Sequence, residues 1–324
     1  MKKMIIVTGA AGFIGCNMAA ELNARGFENL LLVDNLGSDE KWRNLIGLRF
    51  EDVLDSEELL ARMEQGSLPE VEAVIHLGAC SSTTERNAGY LLRNNYRYTR
   101  TLCEFALRHE ARFIYASSAA TYGEGSKGYD DDRAALGQLE PLNMYGYSKH
   151  MFDLWAEGHG LFDRIVGLKY FNVYGLHEDH KGDMRSVVHK SYEQIKATGS
   201  VKLFKSYRPE YGDGEQLRDF IYVKDAVAMT LFFLENRTAS GLFNCGTGQA
   251  RSWNDLATAV FSAMHLPPVI EYIEMPETLR GKYQYFTQAQ MARMRRAGYT
   301  QPFTSLEDGI REYVTSYLAR RPGA

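Results

Sequence analysis

The stretch that decides the expected fold is Met4-Ile5-Ile6-Val7-Thr8-Gly9-Ala10-Ala11-Gly12-Phe13-Ile14-Gly15. Its first four residues form a continuous apolar run with β-branched members, which is typical of a strand buried on both faces of a parallel sheet. Beyond the glycines, apolar side chains recur at helical spacing, at Phe13, Ile14, Met18 and Leu22. This spacing predicts a helix over residues 13–24 that packs on the sheet.

The three glycines of this stretch, Gly9, Gly12 and Gly15, form a G-x-x-G-x-x-G pattern between strand and helix. Such glycines permit a tight turn and a close approach of the backbone to a pyrophosphate. The N-terminus of the following helix offers free N–H groups and a partial positive charge to the phosphates. The pattern therefore predicts a Rossmann-type unit that binds a dinucleotide.

Asp34 ends the second predicted strand, residues 30–33, and lies nineteen residues after Gly15. An acid at this distance accepts hydrogen bonds from an adenosine ribose, which favours NAD over NADP. Lys41 and Arg43 follow in the next loop and could pair with the additional phosphate of NADP. The spacing leaves both cofactors open.

Further apolar runs along the chain alternate with helical patterns. The predicted strands are residues 71–77, 112–116, 165–170, 218–223 and 242–245. Alternation of this kind predicts an α/β fold, a doubly wound parallel sheet with helices on both faces. We expect residues 1–175 to form the dinucleotide-binding domain, with 221–248 returning to it. Residues 176–220 and 249–324 would then form a smaller mixed α/β C-terminal domain that binds substrate. Asp225 is expected to cap the helix that runs to about Leu234.

The bulk composition is that of an ordinary globular protein. The chain has 324 residues, of which 45% are apolar and 24% charged, and a formal net charge of −4. Nothing here suggests a nucleic-acid partner. The apolar run 226–234 is far shorter than the roughly 20 residues that span a bilayer. The four cysteines have no C-x-x-C spacing, and His177 and His180 lie in a polar loop with no fourth ligand in view. We expect a cytoplasmic protein with reduced thiols, without a membrane or a metal.

Tyr145 and Lys149 are four residues apart at the start of a predicted helix, so their side chains share one face. A nearby ammonium favours the phenolate and lowers the pKa of a tyrosine. Such a pair can take a proton from an alcohol while a hydride leaves the same carbon. Ser118, after the predicted strand 112–116, could hydrogen-bond the same substrate oxygen, although a serine there is as well explained as a turn or N-cap residue.

Several motifs agree in order and spacing. They are the glycine turn, Ser118, Tyr145-x-x-x-Lys149, Tyr170-Phe171-Asn172-Val173-Tyr174-Gly175 and Arg218-Asp219-Phe220-Ile221-Tyr222-Val223. The chain resembles the extended short-chain dehydrogenase/reductase family, in its nucleotide-sugar epimerase and dehydratase branch. Residues 78–85, 115–123, 180–182 and 282–288 most resemble a subgroup of epimerases that act on an ADP-linked heptose for the inner core of bacterial lipopolysaccharide.

The resemblance implies a tightly held NADP, with NAD as the alternative. It places around the cofactor Gly9, Gly12, Phe13, Ile14, Gly15, Asp34, Asn35, Lys41, Leu77, Gly78, Ala79, Cys80, Ser81, Asn94, Lys149, Val173 and Lys181. It places around the substrate Ser82, Asn172, Asp183, Lys190, Phe204, Arg218 and Tyr283. Tyr145 and Lys181 would handle protons on opposite sides of the reacting carbon, assisted by Lys149 and Ser118. The resemblance also implies a homo-oligomer, with a pentamer as one of its forms.

The chain departs from the family pattern at three places. Ser56 and Asp183 stand where the family often has a lysine and a serine, and the loop 205–216 is longer than usual. Two other functions remain open. One is a different epimerase or dehydratase of the branch, although Ala119-Ala120 after Ser118 lack the Asp-Glu pair usual in dehydratases. The other is a non-catalytic dinucleotide sensor, a class that generally lacks the Tyr-Lys pair.

Overall fold

The computed structural model describes residues 3–280 and 283–321. Lys282, part of the motif 282–288, lies outside the described residues. The strands are β1 Met4–Thr8, β2 Leu30–Val33, β3 Asp52–Leu54, β4 Val71–His76, β5 Arg112–Ser118, β6 Val166–Tyr170, β7 Asn172–Tyr174, β8 Val201–Phe204, β9 Leu217–Tyr222, β10 Gly241–Cys245, β11 Ala250–Ser252 and β12 Ile270–Ile273. The α-helices are α1 Phe13–Ala24, α2 Ser56–Glu64, α3 Ala88–Leu91, α4 Tyr98–Arg108, α5 Met144–Gly158, α6 Val187–Thr198, α7 Val223–Glu235, α8 Trp253–Ala263, α9 Glu277–Arg280, α10 Ala292–Arg296 and α11 Leu306–Ser316.

Seven strands form one parallel sheet in the order β10-β6-β5-β4-β1-β2-β3. The apolar run at the start of the chain explains why this sheet is covered on both faces. Ile5 and Val7 pack into one hydrophobic cluster, and Met4 and Ile6 pack into another on the opposite face. The doubly wound parallel sheet is confirmed, because the strand order reverses its direction between β1 and β4.

The first helix has the bounds that its apolar spacing predicts, Phe13–Ala24. The prediction for Asp225 is wrong. Helix α7 begins two residues earlier, at Val223, so Asp225 lies in its first turn. Its carboxylate instead accepts hydrogen bonds from the backbone N (2.8 Å) and Oγ1 (3.0 Å) of Thr304, far along the chain. A capping motif read locally cannot reveal such a partner.

The strands outside the seven-stranded sheet, together with helices α6, α8 and α11, form a smaller region of mixed α/β structure. Strands β7 and β9 pair in parallel, β9 and β11 pair antiparallel, and β8 and β12 form a separate parallel pair. Helices α6 and α11 both pack on α8. This region carries the turn Asp179–Met184, a 3₁₀ segment that lies above the large sheet's first helix. Within residues 3–280 and 283–321, no helix has the length and apolar character needed to cross a bilayer.

Candidate active site

The glycine turn after β1 forms a cradle that side chains would fill. Gly9 has a φ of +68°, and a Cβ on it would lie 2.7 Å from the Cα of Gly78. A Cβ on Gly15 would overlap the carbonyl oxygen of Gly9, so α1 packs directly on the turn. The first turn of α1 carries no acidic residue to oppose an anion. The cradle therefore fits the pyrophosphate of a dinucleotide.

A cavity of about 410 Å³ runs along the carboxyl ends of β1, β2, β4 and β5. Sixteen of the seventeen residues predicted to bind the cofactor line it. They are Gly9, Gly12, Phe13, Ile14, Gly15, Asp34, Asn35, Lys41, Leu77, Gly78, Ala79, Cys80, Ser81, Asn94, Lys149 and Lys181. The exception is Val173, which lines an adjoining cavity of about 330 Å³.

The adenosine end of the larger cavity holds a paired carboxylate. Asp34 Oδ1 lies 2.8 Å from the Nζ of Lys41, and Asp34 Oδ2 accepts a hydrogen bond of 2.9 Å from the backbone N of Ala11. Asn35 Oδ1 accepts from both the N and the Oγ of Ser56, each at 3.0 Å. Lys41 thus lies beside Asp34, the acid expected to bind the ribose. Ser56 lines the cavity at the position where the resembled family often has a second lysine.

The opposite end of the cavity holds the predicted Tyr-Lys pair on helix α5. The side chain of Asn143 caps the helix and accepts a 2.8 Å hydrogen bond from Gly146 N. Gly146 packs against the 3₁₀ turn Ala119–Tyr122, because a Cβ there would lie 2.7 Å from the carbonyl oxygen of Ala120. This close approach brings Tyr145 next to the end of β5. Lys149, nearly fully buried, donates 2.8 Å to the carbonyl oxygen of Ala116.

The pKa of Tyr145 does not shift in the direction predicted from its spacing to Lys149. Burial raises the pKa of the phenol, and a hydrogen bond with Ser118 only partly offsets that effect. Burial also lowers the pKa of Lys149 to about 8, although Asp153 opposes the change. Ser118 is a turn-capping residue as one of its two interpretations proposed, because its Oγ accepts a 3.1 Å hydrogen bond from Ala120 N, and its contact with the substrate stays a prediction.

A buried ion pair beneath this site was not anticipated from the sequence. Asp153 Oδ2 and Lys169 Nζ are 2.9 Å apart, and both side chains are fully buried. Asp153 also accepts hydrogen bonds of 2.7 Å from Tyr115 and Ser117 on β5. The ion pair therefore joins α5 to β6, and the two hydrogen bonds to Asp153 join α5 to β5, the strand that carries Ser118. The sequence signal that could have revealed this pair is Lys169 inside the apolar strand β6, together with Asp153 one helical turn after Lys149.

A second residue missed in the sequence is Asn95, in a π-helical segment over Leu92–Arg97. Its Nδ2 donates 2.9 Å to the carbonyl oxygen of Cys80 and 2.9 Å to Ser148 Oγ, while its Oδ1 accepts from Cys80 N. Asn95 thus fixes the loop after β4 against helix α5. Single-turn π bulges are frequent at functional sites.

Lys181 approaches the same space from the smaller region. Five residues line both cavities, namely Phe13, Ile14, Tyr145, Tyr170 and Lys181. The Nζ of Lys181 lies 5.0 Å from the ring centre of Phe13, in cation–π range. Burial lowers its pKa, and the carboxylate of Glu178 opposes that change. Tyr145 and Lys181 therefore both border the junction of the cavities.

The residues predicted to bind substrate fall into three groups. Asn172 lines the smaller cavity. Arg218, buried, lies 5.1 Å over the ring of Tyr283 and 5.6 Å over that of Trp253, a further lining residue of the smaller cavity. Phe204 joins this cluster, with its ring centre 6.4 Å from that of Tyr283. Trp253 was missed in the sequence analysis.

The third group lies apart from the junction. Lys190 Nζ donates 2.5 Å to the carbonyl oxygen of Asp183 at the rim of the site. Ser82 Oγ lies 3.0 Å from Thr84 Oγ1, and Ser82 is not among the described residues that line either cavity. The structure therefore brings together Asn172, Arg218, Tyr283 and Phe204, and leaves Ser82 outside.

Known proteins resemble this chain over nearly its whole length. A curated relative, ADP-L-glycero-D-manno-heptose-6-epimerase from Nitratidesulfovibrio vulgaris, is 56% identical over 98% of both chains, and one of the same name from Fusobacterium nucleatum is 47% identical over 98% of both. The crystal structure of the Helicobacter pylori enzyme of that name has a TM-score of 0.82 and 30% identity, covering 97% of this chain and 96% of the other.

A UDP-glucose 4-epimerase from Thermotoga maritima, solved with UDP-glucose, has a TM-score of 0.78 and 27% identity over 98% and 99% of the two chains. The profile described as "NAD dependent epimerase/dehydratase family" matches residues 5–246, which include the glycine cradle, the Tyr-Lys pair and the strand β10. Fold, cavity and sequence agree, and the chain belongs to the NAD dependent epimerase/dehydratase family.

Proposed function

We propose that the protein inverts C6 of the heptose in ADP-D-glycero-D-manno-heptose, giving the L-glycero epimer for the lipopolysaccharide core. The observation that carries the proposal is the position of Tyr145 and Lys181. Both border the junction between a dinucleotide cavity and a second cavity of about 330 Å³. An epimerase needs proton-handling groups on two sides of one carbon, and this junction supplies them.

The chemistry requires transient oxidation, because a carbinol carbon without an acidifying neighbour does not lose its hydrogen readily as a proton. A bound nicotinamide dinucleotide supplies a reversible hydride acceptor. Tyr145 takes the hydroxyl proton on one side as the hydride leaves the carbon, and Ser118, which hydrogen-bonds the phenol, orients it. After the resulting ketone turns over, the hydride returns to the opposite face of the carbon and Lys181 gives the oxygen a proton. Lys149, buried behind Tyr145, holds the cofactor ribose.

The nucleotide end of the substrate is assigned to Arg218 and its aromatic neighbours. The guanidinium is buried, and it contacts the rings of Trp253 and Tyr283 and the backbone carbonyls of Leu217 and Gln284. A buried guanidinium beside Trp253, which lines the smaller cavity, suits a diphosphate, since planar donor pairs match phosphate oxygens. Residues 176–220 and 249–324 would thus hold the sugar nucleotide, and 1–175 with 221–248 the dinucleotide.

The function is tested by adding ADP-D-glycero-D-manno-heptose to the purified protein and following the sugar by NMR. Inversion at C6 without loss of water is expected. UDP-galactose, offered in a parallel reaction, distinguishes a 4-epimerase. Turnover of UDP-galactose alone would reject the heptose assignment, and inertness towards both would favour the dinucleotide sensor.

We propose NADP as the resident cofactor. The support is Lys41, whose Nζ lies at the adenosine end and neutralises Asp34 at 2.8 Å. Mass spectrometry of the cofactor released from the folded protein identifies it directly. Lys41→Ala should weaken NADP more than NAD, because only NADP carries the 2′-phosphate. Recovery of NAD alone would reject this choice while leaving the epimerase proposal intact.

The homo-oligomer implied by the family resemblance is also a proposal. Trp42, Ile46 and Phe50 lie close together in sequence and expose 44%, 68% and 38% of their surface, which is unusual for large apolar residues of a monomer. Light scattering on the purified protein measures its mass in solution. A monomeric mass would reject this assignment, and five times the 36.7 kDa of one chain would identify the pentamer.

A further inference from the structure

The segment that carries Lys181 has little regular structure of its own. Residues 179–184 form a 3₁₀ segment that is broken at Gly182, where φ is +52° and ψ is −125°. Short 3₁₀ turns have poor hydrogen-bond geometry. The position of Lys181 is therefore set by the side chains that hold its neighbours. Arg185 and Lys190 bind the carbonyls of Gly182 and Asp183 on its C-terminal side, and the remaining contacts come from two distant parts of the chain.

The first set of contacts comes from the dinucleotide-binding side. Asn17 on α1 donates 3.0 Å to the carbonyl oxygen of Leu176. Asn44 Nδ2 donates 2.8 Å to the carbonyl oxygen of Ala11 and lies 3.2 Å from the Nδ1 of His180. These contacts tie the start of the segment to the glycine cradle.

The second set comes from the C-terminal end of the described chain. Asp179, two residues before Lys181, accepts hydrogen bonds from the phenol of Tyr317 and from the guanidinium of Arg321. Arg321 Nη1 also lies 3.1 Å from Nε2 of the buried His189, and Nη2 lies 3.5 Å from Glu193. Burial favours protonated Asp179, but the bonds from Tyr317 and Arg321 hold the pKa of that carboxyl below its usual value.

We propose that Arg321, acting with Tyr317 through Asp179, is a positioning residue for Lys181. The C-terminal segment thereby controls one of the two acid–base groups and leaves the other untouched, because Tyr145 is held separately by α5. The inference rests on the proposed function. A displacement of about 1 Å in a reacting group can cost about 10²-fold in rate. Loss of the ion pair at Asp179 should therefore impair proton transfer at Lys181 by about 10- to 100-fold.

The test separates the two halves of the reaction. One C6 epimer is deprotonated by Tyr145 and the other by Lys181. In a variant with slow proton transfer at Lys181, mixing with the epimer that Tyr145 deprotonates gives a burst of absorbance from reduced nicotinamide. The burst arises because oxidation of the sugar is then faster than its reduction to the other epimer. Mixing with the second epimer gives no burst. Arg321→Met should copy this dependence on the epimer, as Lys181→Met does, and Tyr145→Phe should show the reverse.

Arg320→Met is the matched control, because Arg320 is the neighbouring arginine and is exposed. It should behave as wild type. Arg321→Lys should recover part of the rate. If thermal melting shows that Arg321→Met is unfolded, Tyr317→Phe, which removes a single hydroxyl, takes its place in the test. As a readout independent of turnover, labelling of Lys181 by a small amine-reactive reagent should be faster in Arg321→Met, while labelling of Lys149 stays unchanged.

The same burst behaviour with both epimers in Arg321→Met, or wild-type behaviour in folded Arg321→Met and Tyr317→Phe, would overturn the inference while wild-type epimerisation upholds the proposed function. A wild-type protein that does not epimerise the heptose would overturn both.

Discussion

The two residues proposed as acid–base groups are held by opposite kinds of scaffold. Tyr145 stands at the start of a fifteen-residue helix that is capped by Asn143, tied to β6 by the buried ion pair of Asp153 and Lys169, and tied to β5 by hydrogen bonds to Asp153. Lys181 stands on a broken 3₁₀ segment that is held by side chains from elsewhere. The first position follows from local sequence and regular packing, whereas the second depends on tertiary contacts. Precision at an active site can therefore be reached by either route, but only the first can be read from a motif.

The largest effect expected from this contrast is on catalysis. Tyr145→Phe removes the proton-handling oxygen and keeps the ring, so kcat should fall by about 10²–10⁴-fold. The bound dinucleotide should remain, because the cradle at Gly9 is untouched. Steady-state rates and the cofactor content of the purified variant check this. Wild-type turnover would show that the phenol is not an acid–base group.

The next effect concerns the support under Tyr145. Lys169→Met leaves Asp153 buried without its ammonium, which should lower the free energy of unfolding by about 3–5 kcal/mol. Chemical denaturation measures the loss. Lys202→Met on the exposed face of β8 is the matched control and should change little. A similar small change in both variants would mean that the ion pair does not hold α5 against β6.

The pH dependence should distinguish the two lysines. The pKa of Lys149 is lowered to about 8, so its ammonium is present below that pH and is lost as the pH rises through it. Activity should therefore decline above about pH 8. The residual activity of Lys149→Met should lack this alkaline limb, and Lys181→Met should keep it. If the alkaline limb were lost in Lys181→Met and kept in Lys149→Met, the titrating group would be Lys181.

The smallest effect tests the cap of the catalytic helix. Asn143→Ala removes the bond to Gly146 N, which should cost about 1 kcal/mol of stability. Ser305→Ala removes an equivalent cap from α11 and should cost a similar amount. Because α11 lies outside the catalytic pair, kcat should drop only in Asn143→Ala. Equal kcat in the two variants would show that the cap contributes to folding and not to catalysis.

Local patterns predicted much of this molecule because the responsible interactions are themselves local. The bounds of α1 and β2 follow from apolar periodicity, and the dinucleotide cavity follows from the glycine turn. Asp225 was assigned wrongly because its partner, Thr304, is 79 residues away. The direction of the Tyr145 pKa shift was missed for a related reason. Spacing reveals that a cation shares the face, but it does not reveal how deeply the phenol is buried.

The site residues show the same division. Residues on the strand ends and on α1 line the cavity as the motifs indicated, since parallel strands present their carboxyl ends along one edge. Asp153 and Lys169 come from different elements and meet only after the sheet has formed. Trp253 belongs to the site because its ring contacts the guanidinium of Arg218, and no rule of sequence spacing links positions 218 and 253.

Because the two cavities share a wall, loss of the oxidised sugar during turnover would inactivate the protein molecule that released it. If the ketone escaped between departure and return of the hydride, the protein would be left with a reduced dinucleotide that its normal substrate cannot reoxidise. Under the proposed function, contacts of Arg218, Trp253 and Tyr283 with the nucleotide end of the substrate would retain the ketone while the sugar turns. The strength of those contacts would then set the number of turnovers before a molecule is disabled.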